Sequence, residues 1–196
     1  MSIRVSGGGG GETEPTPTGL QQAILAKVID LGTQASEYMG QKKETHQVYF
    51  LFELKEKMTI EAYKGKPFVT GGFYTLSWYK SNMLNLVEGM LGRALTKDEI
   101  SENGTGLDIE SLVGTNTNLT LIKEEGKKFT KIKSASPLMT GQEPITEIVI
   151  QEAPAWVKKI QAKAVDYVPS VDEEVAQGFI ENLERQETEI VDKFVK

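Results

Sequence analysis

The stretch Gln47 to Leu54, QVYFLFEL, is the strongest single constraint on the fold. Its β-branched and aromatic residues favour a pleated strand, and Val48, Phe50, Phe52 and Leu54 alternate at period two, which puts one apolar row on a core. Tyr49, Leu51 and Glu53 then lie on the opposite face. Ala23 to Leu31 (AILAKVIDL) reads as a preceding strand closed by Gly32, with Thr33 to Lys43 as a polar connection. Phe68 to Trp78 reads as a third strand, entered through the turn Lys64-Gly65-Lys66-Pro67. Gly71-Gly72 suits a bulge or sharp bend, the device that carries a strand around a small barrel.

The period then changes. Ser81 is a helix N-cap, and Met83, Leu84, Leu86, Val87, Met90 and Leu91 recur at helical spacing up to Gly92. A second short helix is expected around Leu107 to Leu112. Strands resume at Asn118 to Lys123, turn at Glu124-Glu125-Gly126 and return through Lys127 to Ser136. Three strands, a helix and a two-stranded hairpin is the order of a five-stranded OB-type Greek-key barrel, whose helix lies between strands 3 and 4. The expected fold is therefore mainly β with helices: that barrel at residues 19–140, a flexible Gly/Pro-rich arm at 1–18, and a C-terminal extension at 141–196. Within the extension, Ala155 to Ala164 reads as a short amphipathic helix and Val171 to Val195 as an acidic one.

Function classes narrow by exclusion. No cysteine is present, so disulfides, thiolate metal sites and a cysteine nucleophile are ruled out, in keeping with a reducing compartment. His46 is the only histidine, which leaves Ser-His and His-Glu-x-x-His machinery without a partner. No phosphate-binding glycine loop follows a strand. Asp98, Glu99, Glu102, Asp108 and Glu110 miss the calcium-loop spacing and read as a solvated loop with helix caps. No enzyme activity, metal or cofactor is expected. The N-terminal residues do not resemble a secretory signal and no apolar run is long enough to span a membrane, so the Asn103 and Asn118 sequons read as accidental and a cytoplasmic location is expected.

The net charge of -6 conceals an uneven distribution. Residues 1–140 sum to about zero, residues 171–196 carry about -5, and Lys123 to Lys133 holds five lysines against two glutamates. A neutral body with basic strips is compatible with phosphate binding, because the local field along a groove matters more than the total. Single-stranded nucleic acid needs cations for phosphates and flat rings for bases, each stack contributing on the order of 1–3 kcal/mol. Tyr49 lies opposite the core row of its strand. If Tyr74, Leu76 and Trp78 face the core, Phe73 and Tyr79 point outward; a bulge at Gly71-Gly72 reverses that parity and exposes Trp78 instead. Phe129, Lys131 and Lys133 share one face of the last strand. Lys43, Lys80, Lys127, Lys128, Lys131 and Lys133 are the candidate phosphate contacts, and Tyr49, Phe73, Tyr79 and Phe129 the candidate stacking rings. Strand aromatics and edge lysines also have a purely structural use, since rings favour any sheet and lysines protect an edge from aggregation.

Several segments resemble a family of bacteriophage single-stranded DNA-binding proteins of OB-fold type. They are Val28-Ile29-Asp30-Leu31-Gly32-Thr33-Gln34, Gly65-Lys66-Pro67-Phe68-Val69, Tyr74-Thr75-Leu76-Ser77, Lys80-Ser81-Asn82, Leu91-Gly92-Arg93-Ala94, Leu112-Val113-Gly114 and Ala135-Ser136-Pro137-Leu138. The resemblance runs over residues 23–138. It implies a viral protein that coats single-stranded DNA during phage DNA replication or recombination in the host cytoplasm, without a cofactor, with replication or recombination proteins as further partners and self-association as an option. The alternative is an OB scaffold whose ligand is protein, an adaptor or inhibitor of a host enzyme, working through the acidic C-terminal helix.

Overall fold

The alternation in residues 47–54 does form a strand, and its apolar row is the centre of the core: Val48, Phe50, Phe52 and Leu54 are all buried. The computed structural model describes residues 14–38, 41–79, 81–101, 103–126, 130–150 and 152–166. Within these, the fold is mainly β. Five strands, β1 (Gly19–Tyr38), β2 (Gln41–Lys57), β3 (Pro67–Thr75), β4 (Asn116–Lys123) and β5 (Thr130–Ser136), form one antiparallel sheet in the order β3-β2-β1-β4-β5. Helices α1 (Asn82–Leu91) and α2 (Lys97–Ile100) lie between β3 and β4, and α3 (Trp156–Gln161) follows β5. The sheet is not closed by hydrogen bonds, but its two outer strands, β3 and β5, come into contact.

Helix α1 plugs the core as its spacing requires. The Ser81 hydroxyl accepts a hydrogen bond from the Leu84 amide at 3.1 Å, Gly92 closes the helix in the left-handed region, and Met83, Leu86, Val87 and Met90 are buried. They pack with the β2 row and with Ala23, Leu25, Leu119 and Leu121 from β1 and β4. At roughly 1.5–3 kcal/mol for each fully buried large apolar side chain, this cluster is the main source of stability.

Two glycine expectations are corrected. Gly32 does not end β1. It sits at φ 70°, where the β1–β2 register shifts between Asp30 and Gly32, and its amide donates to Asp30 Oδ1 at 2.8 Å. Pairing then resumes at Gly32–Gln47 and continues to Tyr38–Gln41, so most of the expected polar connection is paired β-strand. A glycine at a bulge and a glycine at a strand end look alike in sequence. Conversely, Gly71-Gly72 makes no bulge: β2–β3 pairing is regular from Gln47–Thr75 to Glu53–Val69. These glycines provide room. A Cβ on Gly71 would lie 2.5 Å from the Phe50 carbonyl oxygen and from the Tyr49 ring, and one on Gly72 2.8 Å from the Tyr74 ring. Strand parity is thereby preserved. Tyr74 and Trp78 pack on the core cluster, whereas Leu76, beyond the strand's end at Thr75, is exposed. The second short helix is a single 3-10 turn at Glu110–Leu112.

The outer face of β1–β2 is also covered. Leu51 and Glu53 are 1% and 2% exposed, and residues 143–150 and 152–166 run along this side of the sheet as a strap. Glu53 accepts the Val149 amide at 3.0 Å and the Ile150 amide, and Asn116 exchanges two bonds with Ile145 at 2.7 and 2.9 Å. Val157 of α3 is buried with Ile29 and Leu31, flanked by Trp156 and Ile160. Past α3, Asp166 accepts the amide and the hydroxyl of Thr33, each at 2.8 Å. Glu14, inside the predicted arm, is likewise tied down, accepting the Thr59 amide at 2.7 Å and hydroxyl at 2.9 Å. Residues 1–13 of the arm and the acidic segment 171–196 lie outside the described residues. Asn118 is buried and bonded to Pro137 and Gln142, which makes it unavailable as a glycan acceptor.

Candidate nucleic-acid interface

Because β3 and β5 approach without pairing, a cleft of about 850 Å³ remains between them. One wall is β3 with the outer side of β2, contributing Gly71, Gly72, Phe73, Tyr74 and Tyr49. The other is β5, from Thr130 through Lys131, Ile132 and Lys133 to Ser134. The first turn of α1 brings in Asn82 and Asn85, and the strap delivers Trp156.

Three rings form one cluster on the first wall. Tyr49 meets Phe73 edge-on at 4.9 Å between centroids and Trp156 at 4.8 Å, and Phe73 lies 5.5 Å from Trp156. Phe73 is 54% exposed, so much of its surface stays accessible despite its contacts with Tyr49 and Trp156. Tyr49 is half-buried between the other two, so it buttresses Phe73 and Trp156 and turns its hydroxyl end toward Gly71. Lys131 and Lys133 are exposed on the second wall. The 3.4 Å pair of Lys131 with Glu124 joins two exposed groups and holds the lysine weakly.

The cleft thus unites Tyr49, Phe73, Lys131 and Lys133 from the sequence-derived set. Tyr79, 78% exposed, and Lys43, paired with Ser36 in the β1–β2 ladder, do not line it. Lys80, Lys127, Lys128 and Phe129 lie outside the described residues. Sequence reasoning missed Trp156, Tyr74, Asn82 and Asn85. The signal for Trp156 was present, since a tryptophan on an amphipathic helix has to pack somewhere. Tyr74 faces the core in one of the two parities that the sequence allows; its ring does meet Phe50 edge-on at 5.4 Å, yet it also reaches the cleft.

Burial pushes the Tyr74 phenol up to about 12, and nearby Tyr49, itself raised by burial, adds to the shift. The folded state therefore holds the Tyr74 proton at a pH where the unfolded chain, near 10, has released it. Stability from this group is complete below pH 10 and declines as pH rises toward 12. In urea unfolding at pH 9, 10.5 and 11.5, Tyr74→Phe should lose less stability across the series than wild type.

Of the acidic residues near α2, Glu99 caps the helix, Asp98 and Asp108 bond within the loop that follows, and Glu102 lies outside the described residues. Thr96 and Glu99 form a reciprocal capping box, and Glu99 also receives Arg93 at 2.7 and 2.8 Å, which holds its carboxyl down at about 2. Asp98 accepts from Thr105 and Asp108 from the Glu110 amide. His46 pairs with Asp30 at 2.7 Å. Among the described residues no three His, Cys, Asp or Glu side chains are grouped to hold a metal, and no helix is long and apolar enough to cross a membrane. No protein-family model matches the chain, and no curated protein or solved structure matches it either.

Proposed function

We propose that this chain is a sequence-tolerant single-stranded DNA-binding protein built on an OB-type barrel and acting in phage DNA replication or recombination. The observation that carries this reading is the cleft, with an accessible aromatic surface opposite two exposed lysines. Bases lie against Phe73 and Trp156 while the phosphates follow Lys131 and Lys133. Stacking on a ring works for any base, and lysine contacts ignore sequence. Lys43 and Tyr79, which do not line the cleft, serve a longer strand, and Lys80, Lys127, Lys128 and Phe129 stay candidates on their sequence alone. The OB assignment is supported by the strand order, with β1 central, the helix between β3 and β4, and β3 facing β5. The resemblance of residues 23–138 to phage single-stranded DNA-binding proteins supports the biological setting.

The test is fluorescence anisotropy of labelled dT30 at two salt concentrations, with single- and double-stranded competitors. Salt-sensitive binding that prefers single strands is expected. Lys131→Ala with Lys133→Ala should reduce the slope of log K against log salt by about 1.4, two phosphate contacts at roughly 0.7 each. No binding at low salt removes the proposal and turns attention to a protein ligand.

A further inference from the structure

A surface that only stacks bases needs a flat platform and a basic border. This cleft has more. Its volume of about 850 Å³ lies in the range of pockets that enclose a small molecule, roughly 300–1,000 Å³. Its walls also carry hydrogen-bonding groups that the protein does not use itself. The side-chain amides of Asn82 and Asn85, one helical turn apart on α1, and the hydroxyls of Tyr49 and Tyr74 make no hydrogen bond to any described residue. None is sealed from solvent, so folding does not strand them. Polar groups on an apolar-walled pocket fix the orientation of whatever enters it.

Resting on the nucleic-acid reading above, we infer that one nucleobase leaves the stacked strand, enters this cleft beside Phe73 and Trp156, and has its edge read by the amides of Asn82 and Asn85. An amide presents a donor and an acceptor side by side, the pattern that matches a base edge in two hydrogen bonds. A good bidentate contact of this kind discriminates between bases by roughly 1–3 kcal/mol, which is about 5- to 150-fold. Lys131 and Lys133 hold the phosphates on either side. Binding is then tolerant of sequence along most of the strand and selective at one position.

Asn82→Ala with Asn85→Ala is a clean probe. Alanine is the better helix former, both positions are exposed, and neither amide has a partner within the described protein, so the fold has no reason to change. The measurement is the dissociation constant of wild type and double variant for dT12, dC12 and dA12, with the salt slope recorded for each. Wild type should spread its affinities over fivefold or more. The variant should compress that spread at least fivefold, or to near equality, at an unchanged salt slope. If all three oligonucleotides bind with no spread, or if the variant keeps the wild-type spread, base reading is overturned while the single-strand function stands. If none of them binds wild type at low salt, the underlying function fails and the inference with it.

Discussion

Phe73→Leu combined with Trp156→Leu should weaken binding of dT30 by on the order of a thousandfold. Each stacked base contributes roughly 1–3 kcal/mol, and two lost stacks at the middle of that range total about 4 kcal/mol. Leucine is chosen because it separates two uses of a ring. Phe73 and Trp156 touch Tyr49 and each other, and a branched aliphatic side chain preserves most of that apolar contact while removing the flat π-face. Were the rings there only to pack, the double variant, once folded, would bind dT30 as before. If they are the base platform, affinity collapses although the unfolding midpoint shows the variant still folded. Each single variant should lose about ten- to a hundredfold, and quenching of tryptophan fluorescence by DNA should fall sharply in Trp156→Leu. Anisotropy and urea unfolding on the same preparations separate the two cases.

The parts of this architecture that were legible in sequence are those set by local periodicity. The β2 row Val48, Phe50, Phe52 and Leu54, the capped helix α1 ending at Gly92, the β4–β5 hairpin and the helix at Trp156 all follow from spacing and cap chemistry. Phe73 emerged from strand parity, which held because Gly71-Gly72 keeps the β2–β3 register, whereas Lys131 and Lys133 emerged from the charge of their strand, whose pairing with β4 shifts at Lys133. The losses were of two kinds. Gly32 and Gly71 were exchanged in role, because a glycine that bends a chain and one that makes room for a neighbour's ring have the same letter, and the ring that needs the room belongs to another strand. The strap was missed for a different reason. Its anchors are backbone amides at Val149 and Ile150 and a carbonyl at Ile145, and such groups leave no trace in residue type. Trp156 enters the cleft only through that strap, so the site was legible to the extent that it lies on the sheet and illegible where residues about a hundred positions away complete it.

Glu53 reports on that completion most directly, and Glu53→Ala should release the strap. The side chain is 2% exposed, and its two carboxylate oxygens accept the amides of Val149 and Ile150. Only an acceptor-only group with two oxygens meets two adjacent N–H donors without leaving a donor of its own unpaired. Alanine removes both acceptors. The amides are then left to desolvation costs of about 1–3 kcal/mol each, or the strap lifts to hydrate them and gives up part of its packing on Ile29 and Leu31. The second course limits the loss, so the expected destabilisation of the strap is about 2–4 kcal/mol, with the main core of β2 and α1 retained. Hydrogen exchange should show the Val149 and Ile150 amides losing protection well before those of β2, and Trp156 emission should shift to the red. Glu53→Gln, which keeps one acceptor but points an amide donor at the other N–H, should fall between the two. Glu53 does not line the cleft, so weaker DNA binding in Glu53→Ala has to act through the position of Trp156. Unchanged exchange at Val149 and Ile150 would show that the strap is held by its other contacts, at Asn116 and at Thr33, and that Glu53 is not its main anchor.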